Sequence, residues 1–372
     1  MSDNPVDMRD GHAMRVERLL ADAAASEPCA DRALTAATDD FFLPEDQRLG
    51  EQVRSAMAVL LRGLIELIEA QIRDHAVRLL AERGEAEAGR ALSASADDVL
   101  SRLMASGLLR DAELMAEVIA RVRTETIGAA LTVHGAQDPH RPDLISRLVQ
   151  HPDRLVASSA MGILIAESRR VSGAERPQLA HADLPARLHR RITWWVAAAL
   201  RERARITAGR TARALDTALG DAVARSLAAY DEGERLETAA MRLAAVLAPP
   251  AGDLADLLGE ALEDRRLVLF IALLAHGLDL DYALSRDIVL DPAGERLWLA
   301  LRALHLGRDP IARIGHALCV ADPRRNLEAF LDLLDPIASI PADQARSALA
   351  PLWLDPDYRA AMAALARAGR VA

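Results

Sequence analysis

The sequence predicts an all-α protein, a HEAT-like α-helical repeat or bundle of stacked antiparallel helices without a sheet. Hydrophobic residues make up 51% of the 372 residues but aromatic residues only 3%. The core must therefore consist of aliphatic side chains, which suits close helix packing more than β-sandwich layers. The spacing of the prolines and the helical periodicity of the apolar residues support the same fold class.

Long stretches without proline predict long helices, because proline breaks a helix interior. There is no proline between Pro44 and Pro139, nor between Pro185 and Pro249. The first stretch predicts a helix that runs from Pro44 to Gly84, with apolar residues at spacings of three, four and seven. They are Val53, Met57, Leu60, Leu64, Ile68, Ile72 and Leu79. This stripe must be buried, either inside a bundle or against a second copy of the helix.

Six Asp-Pro pairs predict helix starts. The aspartate side chain can cap the first turn, and proline fits at the first helical position because no backbone N–H is needed there. They are Asp138-Pro139, Asp291-Pro292, Asp309-Pro310, Asp322-Pro323, Asp335-Pro336 and Asp355-Pro356. From Asp291 onward the pairs are 18, 13, 13 and 20 residues apart. This spacing is typical of short helices stacked in an α-helical solenoid.

The run Pro249-Pro250-Ala251-Gly252 predicts the main division of the chain, since a helix cannot continue through it. We expect an N-terminal segment at 1–43 that is partly disordered or a short helix. A helical bundle domain with long helices then occupies 44–248. A helical-repeat domain of short helices occupies 252–372.

The charge and cysteine content indicate the class of protein. The net charge is −10, which argues against a surface that coats nucleic acid. All 45 cationic side chains are arginine. Cys29 and Cys319 form neither a disulfide framework nor a CxxC pair, and we find no signal peptide and no apolar run that would span a bilayer. The sequence predicts a cytoplasmic protein that does not enter a membrane.

Four segments resemble a known family. They are residues 48–54 (RLGEQVR), 166–170 (AESRR), 183–185 (DLP) and 194–201 (WWVAAALR). Together they resemble the alphaproteobacterial domain-of-unknown-function family 2336 over roughly residues 45–330. The resemblance implies a helical, HEAT-like protein without an assigned activity.

The helix that begins after Pro185 is the strongest candidate for a functional surface. Eight arginines and one acid, Glu202, lie between Arg187 and Arg213, and at 100° per residue most of these arginines fall on one face. Trp195 lies at the apolar edge, whereas Trp194 lies among the arginines, where an indole can stack on guanidinium groups. We predict that this face binds a partner through Arg187, Arg190, Arg191, Trp194, Arg201 and Arg205. The alternative is a polar face that forms salt bridges with neighbouring helices.

Other groupings of polar residues give weaker signals. His134, His140 and His151 follow no known metal-ligand spacing, and Asp279 with Asp281 fits a capped turn better than a cation site. We expect no metal, no cofactor and no catalytic residue, because the sequence contains none of the common catalytic motifs.

The sequence therefore predicts a non-enzymatic scaffold or regulatory module that binds an acidic protein partner. Self-association into a homodimer is left open. The first alternative is a nucleic-acid-binding protein that uses the same basic face, and the second is an enzyme whose site is assembled from scattered residues.

Overall fold

The computed structural model describes residues 49–94, 98–131, 142–175, 183–204 and 209–368. The chain divides into two compact units, Met1–Glu51 and Gln52–Ala372. The predicted segment at 1–43 lies outside the described residues.

Helices account for the regular structure of the described residues, which contain no strand. This confirms the all-α class. The helices before the predicted division are α1 Glu51–Glu82, α2 Ala86–Ala94, α3 Val99–Ser106, α4 Ala112–Ala130, α5 Leu144–Val149, α6 Arg154–Glu175, α7 Ala186–Arg203, α8 Gly209–Ala229 and α9 Leu236–Leu247. Those after it are α10 Ala251–Glu263, α11 Leu267–Leu278, α12 Tyr282–Leu290, α13 Glu295–Ala303, α14 Arg308–Ala321, α15 Leu327–Ser339, α16 Ala342–Ala348 and α17 Pro356–Ala368.

Capping residues set both ends of α3. Asp98 accepts a hydrogen bond from the Leu100 backbone N–H at 3.0 Å at the start of α3. Gly107 ends the same helix with a φ of 79°, a conformation that glycine adopts without steric cost. Gly84 follows α1 with a φ of 76°. Four residues of the α1 stripe are buried within the chain, namely Met57, Leu64, Ile68 and Ile72. The other three, Val53, Leu60 and Leu79, are half-buried.

The central helix of the core is α11, which packs against α4, α9, α10 and α12. Nine of its residues are buried, among them Phe270, which has no exposed surface. A helix that is apolar on all sides is stable in water only when neighbours surround it. The short apolar run that begins at Leu267 therefore forms the centre of the core.

Pro249 and Pro250 separate α9 from α10, as the sequence predicted. Ala248 adopts a left-handed conformation with a φ of 34°, and α10 begins directly after Pro250. The buried apolar cluster nevertheless includes Leu243 on one side of this break and Leu258 on the other. The division into domains at 249–252 stays a prediction.

The Asp-Pro pairs differ in their structural roles. Asp355-Pro356 is a helix start as predicted, because the Asp355 carboxylate accepts from the Asp357 backbone N–H at 2.8 Å. Asp309-Pro310 lies in the first turn of α14, which begins at Arg308, two residues before the predicted start. The prediction is wrong for three pairs. Asp291-Pro292 and Asp322-Pro323 follow the ends of α12 and α14, and Asp335-Pro336 lies inside α15. Asp138-Pro139 lies outside the described residues.

Within the described part of the chain, no single helix is both long and apolar enough to cross a bilayer. Among the described helices, only α11 and α12 taken together meet that criterion, and they are bent by 116° relative to each other.

Candidate functional site

The helix α7 presents two faces, as the sequence predicted. Leu188, Ile192, Val196 and Leu200 are buried on one side at spacings of four. The opposite side contains the arginines and Trp194. Because the buried side fixes the helix in the core, the side chains of the other face project from a rigid element.

Two arginines at the N-terminal end of α7 form ion pairs with α4 and the residue before it. The Arg191 Nη1 donates to both carboxylate oxygens of Asp111 at 2.8 Å, and its Nη2 donates to Glu113 at 3.1 Å. Arg187 pairs with the same Glu113. Asp111 also caps α4 by accepting from the Leu114 backbone N–H, so one carboxylate fixes the start of α4 and orients Arg191.

The C-terminal end of α7 is also paired. Arg201 forms an ion pair with Asp216 of α8, and Glu202 accepts from Arg102 of α3 at 2.8 Å. Arg205, the sixth residue of the predicted face, lies outside the described residues. Three arginines of the predicted face thus form salt bridges with neighbouring segments, as the alternative interpretation predicted. They are Arg187, Arg191 and Arg201.

Arg190 and Trp194 lie on the same face of α7 as these ion-paired arginines. Both side chains are exposed, and 45% of the Trp194 surface is accessible to solvent. They lie one helical turn apart, the spacing at which two side chains of a helix are neighbours. Arg190 makes no hydrogen bond or ion pair with the described residues. Trp195 is half-buried, in agreement with its predicted place at the apolar edge.

A buried ionic cluster lies beside α7, and sequence reasoning missed it. Its six members come from five places in the chain and are mostly enclosed. They are Glu117, Arg170, Asp183, Arg235, Glu237 and Arg286.

The six side chains of this cluster alternate in charge. The Arg286 Nη2 donates to Glu117 at 2.8 Å, and the Arg235 Nη2 donates to the other oxygen of Glu117 at 3.2 Å. Arg170 pairs with both Asp183 and Glu237. Three guanidinium groups thus face three carboxylates, and each carboxylate contacts two arginines. The separations in sequence are large and irregular, so no spacing pattern pointed to the cluster.

The electrostatics of the cluster favour the ionised forms. Burial by itself would raise the pKa of Glu237, but the charges of Arg170 and Arg235 outweigh it and lower that pKa to about 2. Burial raises the pKa of Tyr282, whose hydroxyl also lies near these charges. A carboxylate with such a low pKa is a poor proton acceptor at neutral pH. The arrangement therefore suits a structural cross-link between helices better than acid-base chemistry.

A shallow cavity opens above the cluster. It is lined by Arg169, Arg170, Asp183, Tyr230 and Arg235, among others. The room inside is about that of one water molecule. The Tyr230 hydroxyl donates to the backbone carbonyl of Leu184 and helps to close its wall. The cavity is too small to hold an organic ligand.

The weaker groupings have structural roles where they are described. Asp281 caps α12 by accepting from the Leu284 backbone N–H at 2.7 Å, and Asp279 adopts a left-handed conformation at the end of α11. This confirms the predicted capped turn. The His151 Nδ1 accepts from the Asp153 backbone N–H at 3.1 Å, whereas His134 and His140 lie outside the described residues. No group of three or more metal-ligating side chains occurs within the described ranges.

Comparison with known proteins gives one informative result. A search of the curated proteins and a search of the solved structures each find no match. A family model described as "Uncharacterised protein conserved in bacteria (DUF2336)" matches residues 137–350. The matched residues are more than half of the chain and include the α7 face and all of the ionic cluster except Glu117. The chain therefore belongs to this bacterial family, which is the family that its sequence resembles. The match begins at residue 137, so the resembling segment at 48–54 lies outside it.

Proposed function

We propose that the protein is a non-enzymatic, cytoplasmic scaffold or regulatory module that binds an acidic segment of a protein partner through α7. The observation that supports this most directly is the exposed pair Arg190 and Trp194 on a helix whose other side is fixed in the core. Tryptophan and arginine are the residue types most enriched among side chains that dominate binding energy in protein interfaces. A rigid helix also lowers the entropy cost of presenting them.

The ion pairs formed by the arginines next to Arg190 and Trp194 favour an acidic protein segment over nucleic acid as the partner. Arg187 is 73% exposed in its pair with Glu113, and pairs this exposed add little to stability. A partner carboxylate can therefore replace Glu113 at low cost. Nucleic-acid binding instead needs several unneutralised cations along the face, whereas Asp111, Glu113 and Asp216 already oppose three of the arginines.

The proposal is tested by affinity capture from cells in which the protein is native, with quantitative mass spectrometry. Arg190→Glu and Trp194→Ala should each reduce the recovery of the same partner about tenfold or more, which corresponds to about 1.4 kcal/mol. Arg213→Glu and Tyr358→Ala change an exposed arginine and an exposed aromatic residue elsewhere, and they should leave recovery unchanged.

Melting temperatures of all four variants should remain close to that of the wild type, because the replaced side chains are exposed. If all four variants recover the same proteins in the same amounts, the α7 face is not the binding surface. If instead the wild type shifts DNA or RNA in a gel, and the shift weakens steeply as salt rises, the nucleic-acid alternative replaces the proposal.

A further inference from the structure

Three arginines lie around the turn between α14 and α15, close to a single carboxylate. Arg324 engages both oxygens of Asp322, with its Nε donating at 2.9 Å and its Nη2 at 2.7 Å. The Arg325 Nε lies 3.7 Å from the same carboxylate, which is beyond hydrogen-bond distance. Arg123 of α4 lies near Arg324 and Asp322 but forms no ion pair with the described residues. Asp322 neutralises one charge, which leaves this arginine cluster with an excess of two positive charges.

The surroundings of the arginine cluster do not relieve this excess. Asp291, the other carboxylate near Arg325, already forms an ion pair with Arg296 at 2.9 Å. Burial lowers the pKa of Arg123, and the charge of Arg324 lowers it further. Burial also lowers the pKa of Arg325. Arginine nevertheless remains charged at neutral pH, so the cluster attracts an anion.

Arg325 is the most enclosed member of the cluster, with 2% of its side chain exposed. Its Nη2 donates to the Val289 carbonyl at 2.5 Å, and the Arg324 Nη2 donates to the Leu290 carbonyl at 3.2 Å. These two bonds fix both guanidinium groups at the C-terminal end of α12. The Arg325 Nη1 is buried and makes no hydrogen bond within the described part of the chain. A buried donor of this kind needs an acceptor, and the described residues do not supply one.

This unpaired Nη1 lies at the N-terminal end of α13. A Cβ atom at Gly294 would lie 2.9 Å from the Arg325 Nη1 and 2.8 Å from the Trp298 Nε1. The indole N–H of Trp298 likewise makes no hydrogen bond with the described residues. Gly294 provides no side-chain cap, and the N–H groups of residues 295–297 precede the first bond of the helix, from the Trp298 N–H to the Gly294 carbonyl. Ala293 and Glu295 are exposed, so these donors meet close to the surface.

We propose that the arginine cluster and the N-terminal end of α13 bind a phosphate group. A helix N-terminus favours an anion through its free N–H groups and its dipole, and guanidinium groups match the geometry of phosphate oxygens. A phosphate group carries a charge of about −1.5 to −2 at pH 7. This matches the excess of two positive charges better than a carboxylate does. The site does not involve α7 and does not rest on the proposed function.

Phosphate binding is tested by NMR on the indole N–H resonances of the isotope-labelled full chain. The variants Trp298→Phe and Trp353→Phe assign two of the four tryptophan resonances. Inorganic phosphate, titrated at constant ionic strength against chloride, should shift the Trp298 resonance until it saturates. The Trp353 Nε1 donates to the Leu278 carbonyl at 2.9 Å, so its resonance should stay in place.

Arginine variants locate the site. Arg123→Gln removes a cation that has no ion-pair partner among the described residues, and it should weaken phosphate binding about tenfold. Arg325→Lys keeps the charge but removes the planar fork, and it should weaken binding to a similar degree. Arg313→Gln is the matched control, because Arg313 is 60% exposed in α14 and lies 3.9 Å from Asp256. This variant should bind phosphate like the wild type.

A short peptide with one phosphoserine between glycines distinguishes the carrier of the phosphate group. Tighter binding than inorganic phosphate, with no binding of the unphosphorylated peptide, would identify a phosphorylated side chain. Binding no tighter than inorganic phosphate would identify a free phosphate or a small phosphomonoester. A Trp298 resonance that neither probe moves would overturn the proposal, as would an Arg123→Gln variant that binds phosphate as tightly as the wild type.

Discussion

Arg169 and Arg170 are adjacent in sequence and similar in chemistry, but their surroundings differ. The Arg169 side chain is 37% exposed in a pair with Glu234, whereas Arg170 is 13% exposed and contacts two enclosed carboxylates. The sequence identifies both as helix residues and cannot distinguish them, because burial depends on helices that pack from distant parts of the chain. The ionic cluster was missed for this reason.

Arg170→Met should therefore destabilise the protein strongly. Removing one partner from a buried ionic network leaves charge uncompensated, and we expect a loss of about 3–5 kcal/mol in the free energy of unfolding. Arg169→Met is the matched control, and its effect should stay within about 1 kcal/mol. Urea denaturation of both variants measures the difference. Equal effects would mean that the cluster does not hold the helices together.

The low pKa of Glu237 predicts a loss of stability in acid. Its pKa is lowered from 4.5 to about 2 in the folded protein, so the folded state binds this proton less readily than the unfolded state. The resulting stabilisation is complete above about pH 4.5 and is lost as the pH falls toward 2. Glu237→Gln should show a smaller decrease in urea midpoint over this range. Glu234→Gln, at an exposed pair, should follow the wild type. Identical profiles for the wild type and Glu237→Gln would contradict the assignment.

At the scale of the helices, the residues at a helix end set where the helix begins and stops. Asp98 caps the start of α3 and Gly107 ends it. The Asp-Pro pairs predicted helix starts only in part, because aspartate also forms turns after a helix. Asp291 accepts from the Ala293 backbone N–H and Asp322 from the Arg324 backbone N–H, and both turns follow the C-terminal end of a helix.

The packing of α14 on α15 depends on one glycine. A Cβ atom at Gly315 would overlap the ring of Phe330, which lies 4.6 Å from the Trp298 ring centroid. Gly315→Ala should therefore cost about 1–3 kcal/mol. At Gly259 of α10 an added Cβ meets nothing within 4 Å, so Gly259→Ala should stabilise by about 0.5–1 kcal/mol. Thermal melts compare the two, and a neutral Gly315→Ala would show that the ring moves aside freely.

At the scale of the whole molecule, the sequence predicted the fold class and the composition of the core but not how the chain is connected in space. Low aromatic content and helical periodicity are local properties, whereas the placement of α11 among α4, α9, α10 and α12 depends on contacts between distant segments. The α7 face shows the same limit. The predicted arginines that the structure describes do lie on one face, but the carboxylates of Asp111, Glu113 and Asp216 that pair with them come from distant parts of the chain.

The continuous core makes a prediction about cooperativity. Because buried residues on both sides of Pro249 and Pro250 pack in one cluster, we expect the described helices to unfold in one calorimetric transition. A chain that begins at residue 252 should not fold alone, since α11 would lose its contacts with α4 and α9. Two separate transitions, or a folded C-terminal fragment, would instead support independent domains divided at 249–252.

Photocrosslinking at position 194 in the native cells tests most directly whether α7 binds a partner. Trp194 is replaced by a photoreactive aromatic residue, with Val59 and Tyr358 as exposed control positions. We predict a crosslinked adduct with one protein partner at position 194, its loss when Arg190→Glu is added, and no such adduct at the control positions. The absence of an adduct at 194, or the same adduct at all three positions, would contradict the claim that α7 binds a partner.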